Sequence, residues 1–357
     1  MNEQLQNKIE TFFTEVPATT AVQEFKDEVL ADANEAFVDY QNSHANVSDE
    51  ETIDAVLAGM GDIAEIAKMI AGDSTELTVT STEAGEYDLL AVNIYAGQVY
   101  LSRGTGTEFK VNQITSIQDP EFEVQINKKN RTFEVTMPRP TGRGILNFFK
   151  ANFKTHFKNV IKIEVPESYL GKVDIKLNAG EAFVSDLTID DDLMTSISAG
   201  DLHVENVQAG AIFTDISAGR AQFKNALSTT EFKATVSAGD LTLKHVTAKF
   251  DVEAAAGNVK AKHVTGSGRF KANAGNIDAD WENVRGDIEL ETAVGNINMQ
   301  FAPQMNFSIQ GDSTMGSIKI LREHTVMAST GQLNATVGSN PEFRVYANTS
   351  LGSIVIK

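Results

Sequence analysis

Cysteine is absent from all 357 positions of the chain. A disulfide framework and thiolate metal or redox chemistry are therefore excluded, and the redox compartment is left open. Positive charge is also scarce: 30 Lys and Arg stand against 49 Asp and Glu, a net charge of −19. That balance argues against a general nucleic-acid binder, because phosphate binding needs a clustered excess of cations. No apolar run approaches the roughly 18–20 residues needed to span a bilayer, so no transmembrane helix is expected. The segment from Met1 to Asn7 is polar and has no cationic run leading into an apolar core, which is not the pattern of a signal peptide. The expected location is cytoplasmic or membrane-peripheral. A hydrophobic content of 41% nevertheless rules out wholesale disorder, and the length allows more than one domain.

Motifs of chemistry are missing too. There is no His-Glu-x-x-His, no calcium loop or calcium-binding nonapeptide, no Gly-x-Ser-x-Gly elbow and no glycine-rich phosphate loop. No residue is assigned a catalytic, metal or cofactor role. His245 and His263 should stack on adjacent repeats, but a metal site normally needs three or four ligands. A polar column at a turn explains the pair better.

What is present falls into three regions. Residues 1–72 read as helices, with apolar residues at helical spacing: Leu5, Ile9, Phe12 and Phe13, then Val22, Phe25, Val29, Ala33 and Phe37. Pro17 separates the first two helices. Ser48-Asp49-Glu50-Glu51 has capping-box spacing and starts a third, and Ile63, Ile66, Ala67 and Ile70 mark a fourth. Fifteen acids against three lysines make this segment about −12, either a solvated face or a docking surface for a basic partner. Residues 73–86, polar and rich in Ser and Thr, read as a linker. Residues 128–162 invert the charge, with nine Lys or Arg against Glu134 alone. Within them Phe149, Phe153 and Phe157 fall four apart, with Lys150, Lys154 and Lys158 on the neighbouring face. That is the pattern of a basic loop or amphipathic helix over 138–160. It could cap the repeat array, touch an anionic membrane surface through those lysines, or dock on the acidic helices.

The third region is a repeat. Ile197-Ser198-Ala199-Gly200-Asp201-Leu202-His203-Val204 returns as Val236-Ser237-Ala238-Gly239-Asp240-Leu241-Thr242-Leu243. Its pivots are Gly180, Gly200, Gly219, Gly239, Gly257, Gly275, Gly295, Gly316, Gly331 and Gly352, mostly 18 to 21 residues apart. Val92 to Leu101 looks like an early, divergent copy, and Phe122–Ile126 and Thr132–Met137 like strands around a turn at 127–130. A period near 20 marks a solenoid, each repeat one coil stacked on its neighbours. Positions two and four after each glycine are apolar, and one, three and five mostly polar, so each is a strand with one buried face. The expected fold is mainly β: a parallel β-helix-like solenoid of roughly 20-residue rungs over 87–357, preceded by a small helical bundle. Lys224, Lys244 and Lys262 share one outward position, with Lys260 beside them. They are either a solvated face or a binding stripe for an anionic polymer.

Two resemblances follow from these residues. The run Ile161 to Pro166, followed by Val173 to Gly180 and the repeats, resembles the bacterial putative-adhesin β-strand-repeat domain of unknown function, whose relatives include proteins of Lia-type envelope-stress systems. That family brings no established catalytic residues. Gly61-Asp62-Ile63-Ala64-Glu65-Ile66-Ala67 resembles the end of HAAS-type helical signalling domains, found near PadR-like regulators. The common proline after the Gly-Asp pair is missing here. Together they imply a non-enzymatic binding or signalling protein, with a protein partner at the acidic helices: a PadR-like regulator or a membrane protein. The alternatives are a carbohydrate-active β-helix enzyme and a purely structural or oligomerising protein.

Overall fold

The computed structural model describes every residue except 1, 45–46, 61–62, 65–66, 69–74, 84–86, 116–119, 140–158 and 330–331. The chain forms two compact units that are not contiguous in sequence. One holds Met1–Val79, Asn112–Gln125 and Met137–Ile161, and the other Thr80–Val111, Ile126–Thr136 and Lys162–Lys357.

In the first unit, α1 (Glu3–Thr11), α2 (Thr20–Ser43) and α3 (Asp49–Gly59) each begin at a side-chain cap. Asn2 accepts from the N–H groups of Gln4 and Leu5, Thr19 from that of Val22, and Ser48 forms a reciprocal box with Glu51. Such caps satisfy N–H groups that the first helical turn leaves without partners. The apolar stripes of these helices, including Ile9, Phe25, Val29 and Ile53, close over one core. Ile63 and Ala67 of the expected fourth helix are buried in it, and residues 63–64 and 67–68 are helical. The expected linker is corrected: Thr75–Glu83 forms a strand, β1. Its Thr-rich composition with Leu77 and Val79 carries high strand propensity, which outweighs its polarity.

The second unit is built on long strands. After β2 (Leu89–Arg103) the chain makes an excursion through β3 (Glu108–Thr115), β4 (Gln125–Lys129), β5 (Thr132–Met137) and β6 (Asn159–Val165) before β7 (Lys172–Thr188). The turn expected at 127–130 lies later, because Asn130 and Arg131 are the two residues with positive φ, 52° and 60°. A tight hairpin turn with that backbone matches the twist of its strands, and Asn tolerates it. Phe122 belongs to a 3-10 turn at Pro120–Phe122 instead of a strand. Arg103 holds the excursion shut. Its guanidinium donates to the carbonyls of Pro166 at 2.7 Å, Tyr169 at 2.8 Å and Thr188.

β2 pairs in parallel with β7, glycine on glycine at Gly97 and Gly180. From there the rungs stack in sequence order through β8 (Leu193–Ala209), β9 (Ile212–Ser228), β10 (Phe232–Ala238), β11 (Leu241–Ala256), β12 (Val259–Ala274), β13 (Ile277–Val294) and β14 (Ile297–Phe301). The last elements are β15 (Phe307–Met315), β16 (Ile318–Ile320), β17 (His324–Ser329), β18 (Gln332–Val337), β19 (Phe343–Leu351) and β20 (Ile354–Ile356). Here sequence order breaks. The β19–β20 rung lies between β13–β14 and β15–β16, since Val345 pairs with both Ile288 and Ile309, and Ile354 with both Ile297 and Ile318. β18 then runs antiparallel to β15, and β17 antiparallel to β18.

The inner residues of each rung are the alternating apolar ones. Phe232, Ala234, Val236, Leu241, Leu243, Val246 and Ala248 of one rung are all buried. Each such side chain buried adds about 1.5–3 kcal/mol if large, so the stacked array and not the single rung is the stable object.

Candidate functional site

Two corners shape each rung and decide what faces outward. At the first, eight glycines from Gly180 to Gly352 in the column, together with Gly97, have φ between 126° and 156° when Gly316 and Gly331 are set aside. A Cβ on Gly239 would meet the carbonyl oxygen of Gly219 far inside 3.0 Å, and the same holds down the column. Gly316 meets Gly352 in the same way, whereas Gly331 lies outside the described residues.

The residue after the glycine carries a ladder. Asp240 Oδ1 accepts from the N–H of Asn258, Asn258 Oδ1 from that of Asn276, and Asn276 Oδ1 from that of Asn296, at 2.8, 3.1 and 2.9 Å. These bonds hold the Asp240 carboxyl below its ordinary range, chiefly through the Asn258 N–H. One step earlier Arg220 pairs with Asp201 at 2.6 Å and lowers that carboxyl as well.

The second corner lies six residues after the glycine, where the sequence places a polar turn column for His245 and His263 but not its other members. Asp186, Asn206, Asn225, His245 and His263 all have φ between 52° and 56°, the left-handed region. Asn, Asp and His are the non-glycine residues enriched there, which is the signal that could have found the column. Its members bond rung to rung, Asn206 Nδ2 to Asp186 Oδ1 at 2.9 Å and Asn225 Nδ2 to Asn206 Oδ1 at 3.0 Å. The imidazoles of His245 and His263 stack with centroids 5.1 Å apart. His263 Nδ1 also lies 3.1 Å from Asp280 Oδ2. Among the described residues no group of three or more His, Asp or Glu could hold a metal ion.

Between the two corners runs a flat side, where positions one, three and five after the glycine point outward. Lys224, Lys244 and Lys262 are in register on successive rungs, and Lys260 is in register with Thr242. Lys224 pairs with Glu205, while Lys244, Lys260 and Lys262 are exposed and form no ion pair with any described residue. Further along the same side Tyr100, Phe183 and His203 stack face to face at 4.5 and 4.9 Å. On the side preceding the glycine the pattern differs. Lys233, Asp251, Arg269 and Glu289 alternate in sign down one register column, and Asp251 lies 3.7 Å from Lys233 and 3.2 Å from Arg269.

Lys150, Lys154 and Lys158, with the basic segment around them, fall outside the described residues. Among the described residues no helix is long and apolar enough to cross a membrane.

Corners of glycine and left-handed residues, stacked in parallel register, define the class: a β-solenoid whose outer sides are straight rows of side chains. Within that class the chain belongs to the Toastrack DUF4097 family, whose model matches residues 90–357. No curated protein matches it. Several solved structures are similar to it. A putative adhesin from Parabacteroides distasonis is 13% identical, with 80% of this chain and 98% of that chain covered and a TM-score of 0.46. One from Parabacteroides merdae is 13% identical over 79% of this chain and 96% of that chain, with a TM-score of 0.41. One from Bacteroides fragilis is 12% identical over 79% and 97%, with a TM-score of 0.36.

Proposed function

We propose that this chain is a non-enzymatic bacterial binding protein of adhesin type, whose solenoid displays an extended contact surface. The observation that carries this reading is the geometry of the rungs from Leu193 to Phe301. The strand runs through the glycine corner at Gly200 and Gly219, and two residues make that corner at Gly239-Asp240, Gly257-Asn258, Gly275-Asn276 and Gly295-Asn296, so the outward side chains just after the glycine line up in rows. Catalytic β-helices build clefts from long inter-strand loops, and this stretch spends its length on flat sides instead.

The acidic helices form the second contact in this reading, for a protein partner such as a PadR-like regulator or a membrane protein. The HAAS-like resemblance and the link to envelope stress belong to the same proposal. Val38 on α2 supports it: it is 47% exposed between the exposed acids Glu35 and Asp39. An apolar side chain ringed by charge is the composition of a small contact patch more than of a solvated face.

The test uses the full chain, immobilised and offered a panel of acidic and neutral polysaccharides, with retention and released reducing ends measured together. Retention without cleavage is expected. Cleavage would establish the enzyme reading in its place, and retention of no panel member would remove the adhesin-type reading. For the helices, Glu35→Lys with Asp39→Lys should abolish cross-linking of the full chain to a co-expressed PadR-like regulator. Equal cross-linking by wild type and variant would overturn that contact.

A further inference from the structure

Resting on the binding reading above, we propose that Lys244, Lys260 and Lys262 form the binding site for an acidic polysaccharide chain, whose uronate carboxylates they meet across two successive rungs. The argument starts from an internal contrast. On the side preceding the glycine, charges alternate from rung to rung: Lys233, Asp251, Arg269 and Glu289 in one column, Glu253, Lys271 and Glu291 in the next. A parallel stack places like residues about 4.8 Å apart, and opposite signs in register stabilise it while like signs oppose it. On the flat side after the glycine, the same stack puts Lys244 directly over Lys262, with Lys260 two positions from Lys262 on its own rung.

The carboxylates named on that side each have a partner, a cation for Glu205 and Asp201 and an amide or imidazole for Asp240, Asp278 and Asp280. Glu205 is held by Lys224, and Asp201 by Arg220. Asp240 takes its bonds from Asn258, with Lys260 near enough to help lower its carboxyl. Asp278, in register with Lys260, accepts from Asn298 Nδ2 at 2.7 Å, and Asp280 lies against His263. Three exposed ammonium groups remain, with the imidazole of His245 at the adjoining corner.

A linear anion with repeating charges fits these two rungs, since Lys244 and Lys262 hold the same register position on successive rungs and Lys260 adds a third cation beside them. The neighbouring outward residues select for sugar. Gln222 and Thr242 share the register column of Lys260 and offer neutral donors and acceptors suited to hydroxyls. The net charge of −19 makes the chain as a whole repel a polyanion, so binding must come from a local row of cations.

The full chain is titrated with polygalacturonate, neutral dextran and long-chain inorganic polyphosphate. Polygalacturonate should bind, weaken as salt rises, and exceed both others. The triple variant Lys244→Gln, Lys260→Gln, Lys262→Gln should bind at least about tenfold more weakly, each lysine near an anionic surface contributing about a tenfold step or less. Its melting temperature should be unchanged. Lys233→Gln, Lys271→Gln, Lys319→Gln removes the same charge elsewhere on the solenoid and should bind like wild type. Equal binding by the first triple variant overturns the site while leaving the adhesin reading intact. Equal loss in both triple variants, or polyphosphate bound as tightly as polygalacturonate, overturns the polysaccharide assignment.

Discussion

One oxygen of Asp240, Oδ1, accepts two hydrogen bonds from Asn258 of the next rung, from its backbone N–H at 2.8 Å and from Nδ2 at 3.0 Å. The pair ties two rungs together at the glycine corner, and it makes part of the fold's stability depend on pH. Because these bonds favour the ionised carboxylate, the folded-state pKa lies below the ordinary value. An unfolded Asp titrates near about 3.9, so between that value and the folded pKa the unfolded chain binds more protons. The contribution is therefore full above about pH 4 and lost as pH falls through the folded pKa. Asp240→Asn keeps the acceptor oxygen, as Asn258 and Asn276 do on later rungs, but cannot titrate. Urea midpoints should show wild type ahead at pH 7 and the gap closing below pH 4. A constant gap from pH 7 to pH 2 would sink the idea. The single tryptophan, Trp281, is buried against Phe250 and Phe270 and reports the transition.

At the same corner the backbone leaves no room. Gly239→Val must place a β-branched side chain at φ 137° and against the Gly219 carbonyl. The cost should be about 3–5 kcal/mol, in the range reserved for strain that cannot relax. Lys244→Ala, exposed on the same rung, should stay within about 0.5 kcal/mol of wild type. Chemical denaturation of the two variants checks both numbers. Similar losses in both would mean that the inward and outward registers are misassigned.

The left-handed corner has a subtler demand. His245 has φ 52°, and its ring stacks on that of His263. Replacing it by Asn or by Val removes the stacking equally, so their difference isolates the backbone. His245→Val should be less stable than His245→Asn by about 1–2 kcal/mol, the penalty of a left-handed conformation for a side chain that resists it. If thermal melts of the two variants coincide, residue 245 does not hold that corner.

These corners also show what the sequence makes legible. Leu241 and Leu243 alternate with Thr242 and Lys244, so the solenoid and its inward face follow from the period-two pattern and the recurring glycine. The second corner is legible only at His245 and His263, because Asp186, Asn206 and Asn225 share its conformation and not its residue type. The strand at Thr75–Glu83 is hidden for a related reason, since Thr serves linkers and strands alike. The free lysines were visible as a column. That Lys224 is neutralised by Glu205 while Lys244 and Lys262 are not depends on register, which spacing alone does not fix.

The order of the final rungs is a further case, and it yields the sharpest test. Glycine spacing places the Gly295, Gly316, Gly331 and Gly352 rungs in sequence order, yet Val345 of β19 pairs with Ile288 on one side and Ile309 on the other. The rung made last in the chain is thus an interior rung of the stack. In a solenoid each rung is stabilised almost wholly by its two neighbours. Truncation after Val337 therefore removes the only parallel partner of β15 and β16 among the described residues, and exposes β13–β14 as a new edge. Hydrogen exchange should show residues 303–329 losing protection almost completely, while β7 to β12 keep theirs. Stacking in sequence order gives the opposite result, because β15 would then rest directly on β13 and keep its protection after the truncation. Retained protection across 307–320 in the truncated chain would refute the interleaved arrangement.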